Sequence, residues 1–235
     1  MTPSGKRPAL EATLPGRLAL LARERAEQTA IREKRLGLWQ EISWRGYYDH
    51  VAAAARQMRA LGVEAGDHVA IISDNRPEWL YADLAAQGLG ARSVGVYQTN
   101  PPEDVAYVVA HSRSKILFCE DQEQVDKALE VIDQIPSCEH IVVFDPRGTR
   151  QYTEARLMSW ASFVAQGRTL LAEEGSGDDW FAELAAQVDP AEPCMIIYTS
   201  GTTGPPKGAM ISSRNVIVPR CVSPPPWERR RPIQC

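Results

Sequence analysis

Five short apolar runs recur along the chain, VAIIS, SVGVY, KILFC, HIVVF and CMIIY, mostly rich in β-branched residues and bounded by turn-forming positions. Runs without polar alternation suit strands buried on both faces, as in a parallel sheet. Between them the period changes. Tyr47, Val51, Ala54, Met58 and Leu61 recur at intervals of three and four, which predicts a helix stopped by Gly62. Val125, Leu129, Ile132 and Ile135 form a second stripe, ended by Pro136. Asn75 before Pro77 and Glu78, and Asn100 before Pro101 and Glu103, read as helix caps followed three residues on by an acid. RLGLWQEISW reads as a small hairpin with Gly37 in or beside its turn, with Trp39 and Trp44 packing on it; Trp79 reads as facing the core from a helix. Strands alternating with helices predict an α/β layered sandwich with a mainly parallel sheet.

This pattern divides the chain into a helical extension over 1–36, a body over 37–215 and a tail over 216–235. Within the body, Gly167 to Asp179 reads as a surface loop separating two packing units; its Asp178 and Asp179 suit a solvated loop or helix start and lack metal-ligand spacing. The tail carries Pro219, Pro224, Pro225, Pro226 and Pro232 with Arg229, Arg230 and Arg231, and shows no apolar period. A segment that cannot bury a face is expected to be disordered, and its basic run reads as solvated.

Composition narrows the class. A length of 235 residues can bury the core of one large or two small domains, and a net charge of −4 argues against a nucleic-acid partner. Five cysteines form no CxxC pair and no disulfide-like framework, which suits a reducing, cytoplasmic setting. LALLA after Gly16 is too short for a signal-peptide core and runs at once into RERAE.

The chemistry concentrates in YTSGTTGPPKGAM, Tyr198 to Met210. Gly201, Gly204 and Gly208 let backbone N–H groups approach an anion, and Thr199, Ser200, Thr202 and Thr203 add hydroxyl donors. Lys207 adds a mobile point charge, while Pro205 and Pro206 stiffen the stretch before it. The mixture reads as a polyphosphate cradle. It is not a Walker A loop, because Pro206 stands five after Gly201 and Gly208 follows Lys207. AMIS beyond it looks extended, so the loop joins two strands. Elsewhere the candidates are structural: His111 near a helix end and His140 before a strand read as surface or edge residues, and Cys119 as a small buried hydrophobe. No catalytic residue is assigned outside the loop.

YTSGTTGPPKGAM resembles the phosphate-binding signature of the adenylate-forming enzymes. REKRLGLWQEISW, HVAIISDNRPEWLYADLAAQGLGARSVGVYQTNPPEDVAYVVAHS, KILFCEDQEQVDKALE and HIVVFDPRG are similar to the N-terminal part of long-chain fatty-acid CoA ligases. The resemblance implies an incomplete N-terminal portion of that fold, with 37–215 a partial adenylation domain. It implies ATP, Mg²⁺ and CoA, with a fatty acid as the other small-molecule substrate, and peripheral contact with membranes. It gives Thr199, Ser200, Gly201, Thr202, Thr203, Gly204, Lys207 and Gly208 the nucleotide's phosphates. Two departures stand out. Ser213 takes the place of the family's histidine, and the likeness is expected to end after Val216, ahead of more than half of the enzyme. The chain is therefore expected to be a truncated or frameshifted product, either a ligase portion needing the missing part or an inactive phosphate-binding fragment. Strands near Met195 to Ile211 are expected to show unpaired edges.

Overall fold

A computed structural model describes residues 10–173, 179–199 and 205–222, apart from the side chains of 218–222. Seven strands form one sheet: β3 (His68–Ile72), β4 (Arg92–Val96), β5 (Ile116–Cys119), β6 (His140–Val143), β7 (Leu157–Ser159), β8 (Pro193–Thr199) and β9 (Lys207–Ser212), in the order β7-β6-β5-β3-β4-β8-β9. All neighbours are parallel except β8 and β9, which pair antiparallel. A separate hairpin pairs β1 (Thr29–Arg35) with β2 (Leu38–Ser43) across a turn in which Leu36 and Gly37 both take positive φ. All five apolar runs are strands. β7 is too short to show a pattern of its own.

The uniform apolarity of the strands is explained by two cores, one on each face. Val69, Ile71, Ile116, Phe118 and Val142 point into the first; Ala70, Ile72, Leu117, Cys119, Ile141 and Val143 point into the second. Successive side chains alternate across the sheet, so the central strands β3, β5 and β6 carry apolar residues on both faces at nearly every position. The first face is covered by α1 (Leu14–Glu24), α2 (Trp44–Ala60), α3 (Pro77–Gly88), α6 (Trp160–Glu173) and α7 (Trp180–Ala185). The second is covered by α4 (Pro102–Ser112) and α5 (Gln122–Glu130). The result is the expected α/β layered sandwich.

Several local expectations are corrected. The first 36 residues are not uniformly helical: α1 occupies part of them, and β1 fills Thr29–Arg35. The helix caps expected at Asn75 and Asn100 do not form. Pro77 is the first residue of α3 and Pro102 the first of α4, and each fixes its predecessor, Arg76 or Pro101, in extended backbone as the cap, with no side-chain hydrogen bond. Gly167 lies in a helix, not a loop, because α6 runs to Glu173; a Cβ there would meet the Ala53 carbonyl oxygen of α2 at 2.0 Å. The missing side chain lets the two helices touch. Trp39 is 66% exposed and packs on nothing like a hairpin core, whereas Trp44 stacks on Tyr47. Trp79 is partly buried against the first core.

The chain beyond the sheet also differs. Residues 213–222 form a helix, α8 (Ser213–Val222), with Ile217 buried, although a tail without structure was expected from Val216. A reciprocal cap starts it: Asn215 Oδ1 accepts from the Ser212 N–H at 3.0 Å and its hydroxyl at 2.9 Å, and the Asn215 N–H donates to Ser212 Oγ at 3.3 Å. The rest of the expected tail, 223–235, lies outside the described residues, as does Asp178. Of the strands expected to be unpaired, β8 is paired on both sides, by β4 and β9; the open edge is β9.

Candidate functional site

The loop of interest leaves the carboxyl end of β8, beside the carboxyl end of β4. This edge of a parallel α/β sheet is where backbone donors and loops converge on ligands. Its two roots are fixed by the antiparallel ladder, in which Tyr198 pairs with Gly208 and Thr199 with Lys207. A hydroxyl and an ammonium group therefore stand opposite each other, and both residues are exposed. Ser200, Gly201, Thr202, Thr203 and Gly204 lie outside the described residues. Of the eight residues expected in the cradle, the structure places Thr199, Lys207 and Gly208.

Gly208 shows why its position excludes a side chain. A Cβ there would meet Ile196 Cγ2 at 2.8 Å and the Tyr198 ring at 3.4 Å. The conflict is with Ile196; the Tyr198 ring lies at ordinary contact distance from that position. Tyr198 is buried, and burial, with Tyr107 beside it, raises its phenol above the ordinary range. It stays a neutral hydrogen-bonding group.

The loop's stems lean on α4. Tyr107 and His111, one helical turn apart on the same face, stack with centroids 5.4 Å apart and rings within 17° of parallel. Tyr198 meets both rings edge-on, at 6.4 Å and 5.8 Å. His111 Nδ1 lies 2.7 Å from the Tyr198 hydroxyl, and the Tyr107 hydroxyl donates to the Pro206 carbonyl at 3.0 Å. His111 is thus exposed, as its sequence position suggested, but tied to a loop stem. Sequence alone did not reveal this link; the only available signal was the four-residue spacing of Tyr107 and His111 on α4.

Other candidate groups are inert. Cys119, Cys138 and Cys194 are buried free thiols, and burial pushes Cys119 well above its usual range, Cys138 to about 11, and Cys194 upward. Buried, protonated sulfur is a poor nucleophile. His140 begins β6 and is half-buried. Among the described residues no three His, Cys, Asp or Glu side chains are grouped to hold a metal ion. No described helix is long and apolar enough to cross a membrane.

A mostly parallel sheet covered on both faces, with the two strand ends of a glycine- and hydroxyl-rich segment at its carboxyl edge, defines an α/β layered protein. The chain belongs to the AMP-binding enzyme family, whose pattern matches residues 19–226. The match reaches back into α1 and forward past Val216, where the sequence likeness was expected to stop. Among similar proteins, the long-chain-fatty-acid–CoA ligase ACSBG2 of Xenopus laevis is 32% identical over 190 residues, 81% of this chain and 25% of that protein. The long-chain-fatty-acid–CoA ligase FadD15 of Mycobacterium bovis is 30% identical over 196 residues, 77% of this chain and 28% of that protein. The chain thus spans about a quarter of the length of these relatives. Acetoacetyl-CoA synthetase from Streptomyces lividans shares the fold with a TM-score of 0.72 at 20% identity, over 88% of this chain and 31% of that one. The anthranilate CoA ligase AuaEII, solved in complex with anthranoyl-AMP, does so with a TM-score of 0.68 at 22% identity, over 88% of this chain and 35% of that one.

Proposed function

We propose that the chain carries the phosphate-binding strand–loop–strand of an ATP-dependent long-chain fatty-acid CoA ligase. One observation supports this above the others: Thr199 and Lys207 form an exposed cross-strand pair at the two roots of the loop, on the carboxyl edge of a sheet whose family handles AMP. In the proposed reaction a fatty carboxylate oxygen attacks the α-phosphorus of ATP. The new bond gives an acyl-adenylate, and the bond to the leaving pyrophosphate breaks. The thiol of CoA then attacks the acyl carbon, forming the thioester and releasing AMP.

Negative charge grows on the pyrophosphate as it leaves, so donors aimed at the β and γ phosphates stabilise the transition state. Lys207 supplies a charge that can follow those phosphates, Thr199 a hydroxyl, and Gly208 the clearance that Ile196 needs beneath the strand. Ser200, Gly201, Thr202, Thr203 and Gly204 complete the proposed cradle. Mg²⁺ carried on the phosphates would share their charge. The substrates are small molecules, and a cytoplasmic setting with access to lipid-borne fatty acid belongs to the same proposal.

Because the chain spans about a quarter of its relatives, the reaction is proposed for the whole protein, and phosphate binding for this part of it. ATP–pyrophosphate exchange with a long-chain acid separates the two. Exchange above background by the 235-residue chain, abolished in Lys207→Ala, would give the chain turnover of its own. Saturable tripolyphosphate binding without exchange, lost in Lys207→Ala, would make it a binding element. Absence of both would reject the phosphate site.

A further inference from the structure

We infer that Tyr107 and His111 of α4, together with Tyr198 of β8, are positioning residues that hold two strand ends, Tyr198–Thr199 and Pro206–Gly208, in register for a polyphosphate ligand. The inference rests on the phosphate-site reading above, but its structural part stands on separate observations. Two contacts reach two different stems from one helix face: His111 Nδ1 to the Tyr198 hydroxyl at 2.7 Å, and the Tyr107 hydroxyl to the Pro206 carbonyl at 3.0 Å.

The second contact sets a peptide plane. In a planar trans peptide the C=O and the following N–H point in opposite directions. No cis peptide occurs among the described residues, so anchoring the Pro206 carbonyl on α4 turns the Lys207 N–H away from that helix. The peptide plane that introduces Lys207 is therefore set by Tyr107. The first contact fixes the other stem one residue before Thr199. It tolerates either tautomer, because the phenol can donate to a bare Nδ1 or accept from a protonated one. Stacking of Tyr107 on His111 locks the two ring planes together, so neither can turn alone.

The gain is entropic. Ordering a backbone residue around a ligand costs about 1–2 kcal/mol, and strand ends that are already pinned reduce that cost before the ligand arrives. Neither ring needs to touch phosphate to raise affinity.

Three variants remove the contacts with little change of shape: Tyr107→Phe, Tyr198→Phe and His111→Ala. Tripolyphosphate affinity, measured by calorimetry on the full 235-residue chain, should fall roughly fivefold or more in each, the cost of ordering about one further backbone residue on binding. Glu24→Gln, an exposed residue of α1 on the opposite face of the sheet, should bind as the parent does. Amide exchange of Tyr198, Thr199, Lys207 and Gly208 should accelerate in the three variants, while exchange in β3 and β5 stays unchanged. The ¹⁵N resonance of His111 Nδ1 should shift in Tyr198→Phe. A fall in thermal midpoint with unchanged affinity and unchanged exchange at the strand ends would reduce the rings to packing and overturn the inference. If the parent chain binds no tripolyphosphate, the phosphate reading fails on its own. Accelerated exchange at the strand ends would then still support the stem-holding role, and unchanged exchange would sink it too.

Discussion

On the face covered by α2, α3 and α6 the sheet is sealed by rings on rings and backbone on backbone, whereas the face covered by α4 and α5 ends in polar ring atoms that reach a loop. Phe118, Phe144, Trp160 and Phe163 form the first seal, with centroids 5.4 to 6.0 Å apart, and α6 meets α2 where Gly167 has no side chain. On the second face Val105, Val108 and Val109 of α4 enter the core, while Tyr107 and His111 sit on its margin and turn their heteroatoms to β8 and Pro206. Dispersion and burial hold the first face, and their strength depends on volume. The margin of the second is held by individual hydrogen bonds. Damage to the first should therefore appear as lost stability, and damage to the second as lost ligand affinity.

The largest expected effect tests the first half of that contrast. Phe118 is fully buried and touches three other rings, so Phe118→Ala should destabilise the chain by about 3–5 kcal/mol, read from urea unfolding. Next comes Gly167→Ala, in which the added methyl would have to displace the α2 backbone. Alanine favours a helix over glycine by about 1 kcal/mol, so a net loss of about 1–3 kcal/mol would show that close approach outweighs propensity. A gain in stability would mean that α2 and α6 can separate at little cost.

The same contrast explains what could be read in the sequence. Strands buried on both faces are apolar at most positions, so HVAII, ILFC, HIVV and the run before Thr199 announce themselves, and RSVGV does so through its valines. β7, with only Leu157, Met158 and Ser159, carries no such run. Gly167 misleads because its helix-breaking tendency is visible locally, while its partner Ala53 lies far away in sequence. Asn75 misleads because Pro77 shifts the cap onto Arg76. In the candidate site, the join between two strands was legible from the segment's own sequence. Its support was not, because Tyr107 and His111 meet their partners Pro206 and Tyr198 only after α4 and β8 are assembled into one sheet.

A buried charge offers a finer test of the sealed interior. Asp83 of α3 is buried and accepts hydrogen bonds from the Gln87 amide at 2.9 Å and from the Ser93 hydroxyl. Burial raises its carboxyl above the ordinary 3.8, with the two donors pulling the other way. A group with a raised folded pKa contributes stability that is complete below its unfolded value and is lost as pH climbs through the folded one. The parent chain should therefore lose stability as pH rises above the ordinary carboxylate range, and Asp83→Asn should flatten that slope. Asparagine keeps an acceptor for both donors, so its own cost should be on the order of 1 kcal/mol. An unchanged slope would assign the pH dependence to other carboxylates.

The smallest expected effect on stability is also the sharpest test of the contrast. Lys207 is exposed at the first position of the edge strand β9, opposite Thr199, and buries no apolar surface in either core. Lys207→Ala should shift unfolding by no more than about 0.5 kcal/mol, the range for surface substitutions. If the loop binds phosphates, the same change should weaken tripolyphosphate by about tenfold or more, since a hydrogen bond to a charged group is worth about 1.5–3 kcal/mol. A residue with almost no structural weight would then carry a large share of the affinity, the reverse of Phe118. Unfolding curves and calorimetry on the same samples would show whether the two quantities separate. If Lys207→Ala lowers stability and affinity together, the loop stem is part of the structural body, and the division between a sealed face and a binding margin does not hold.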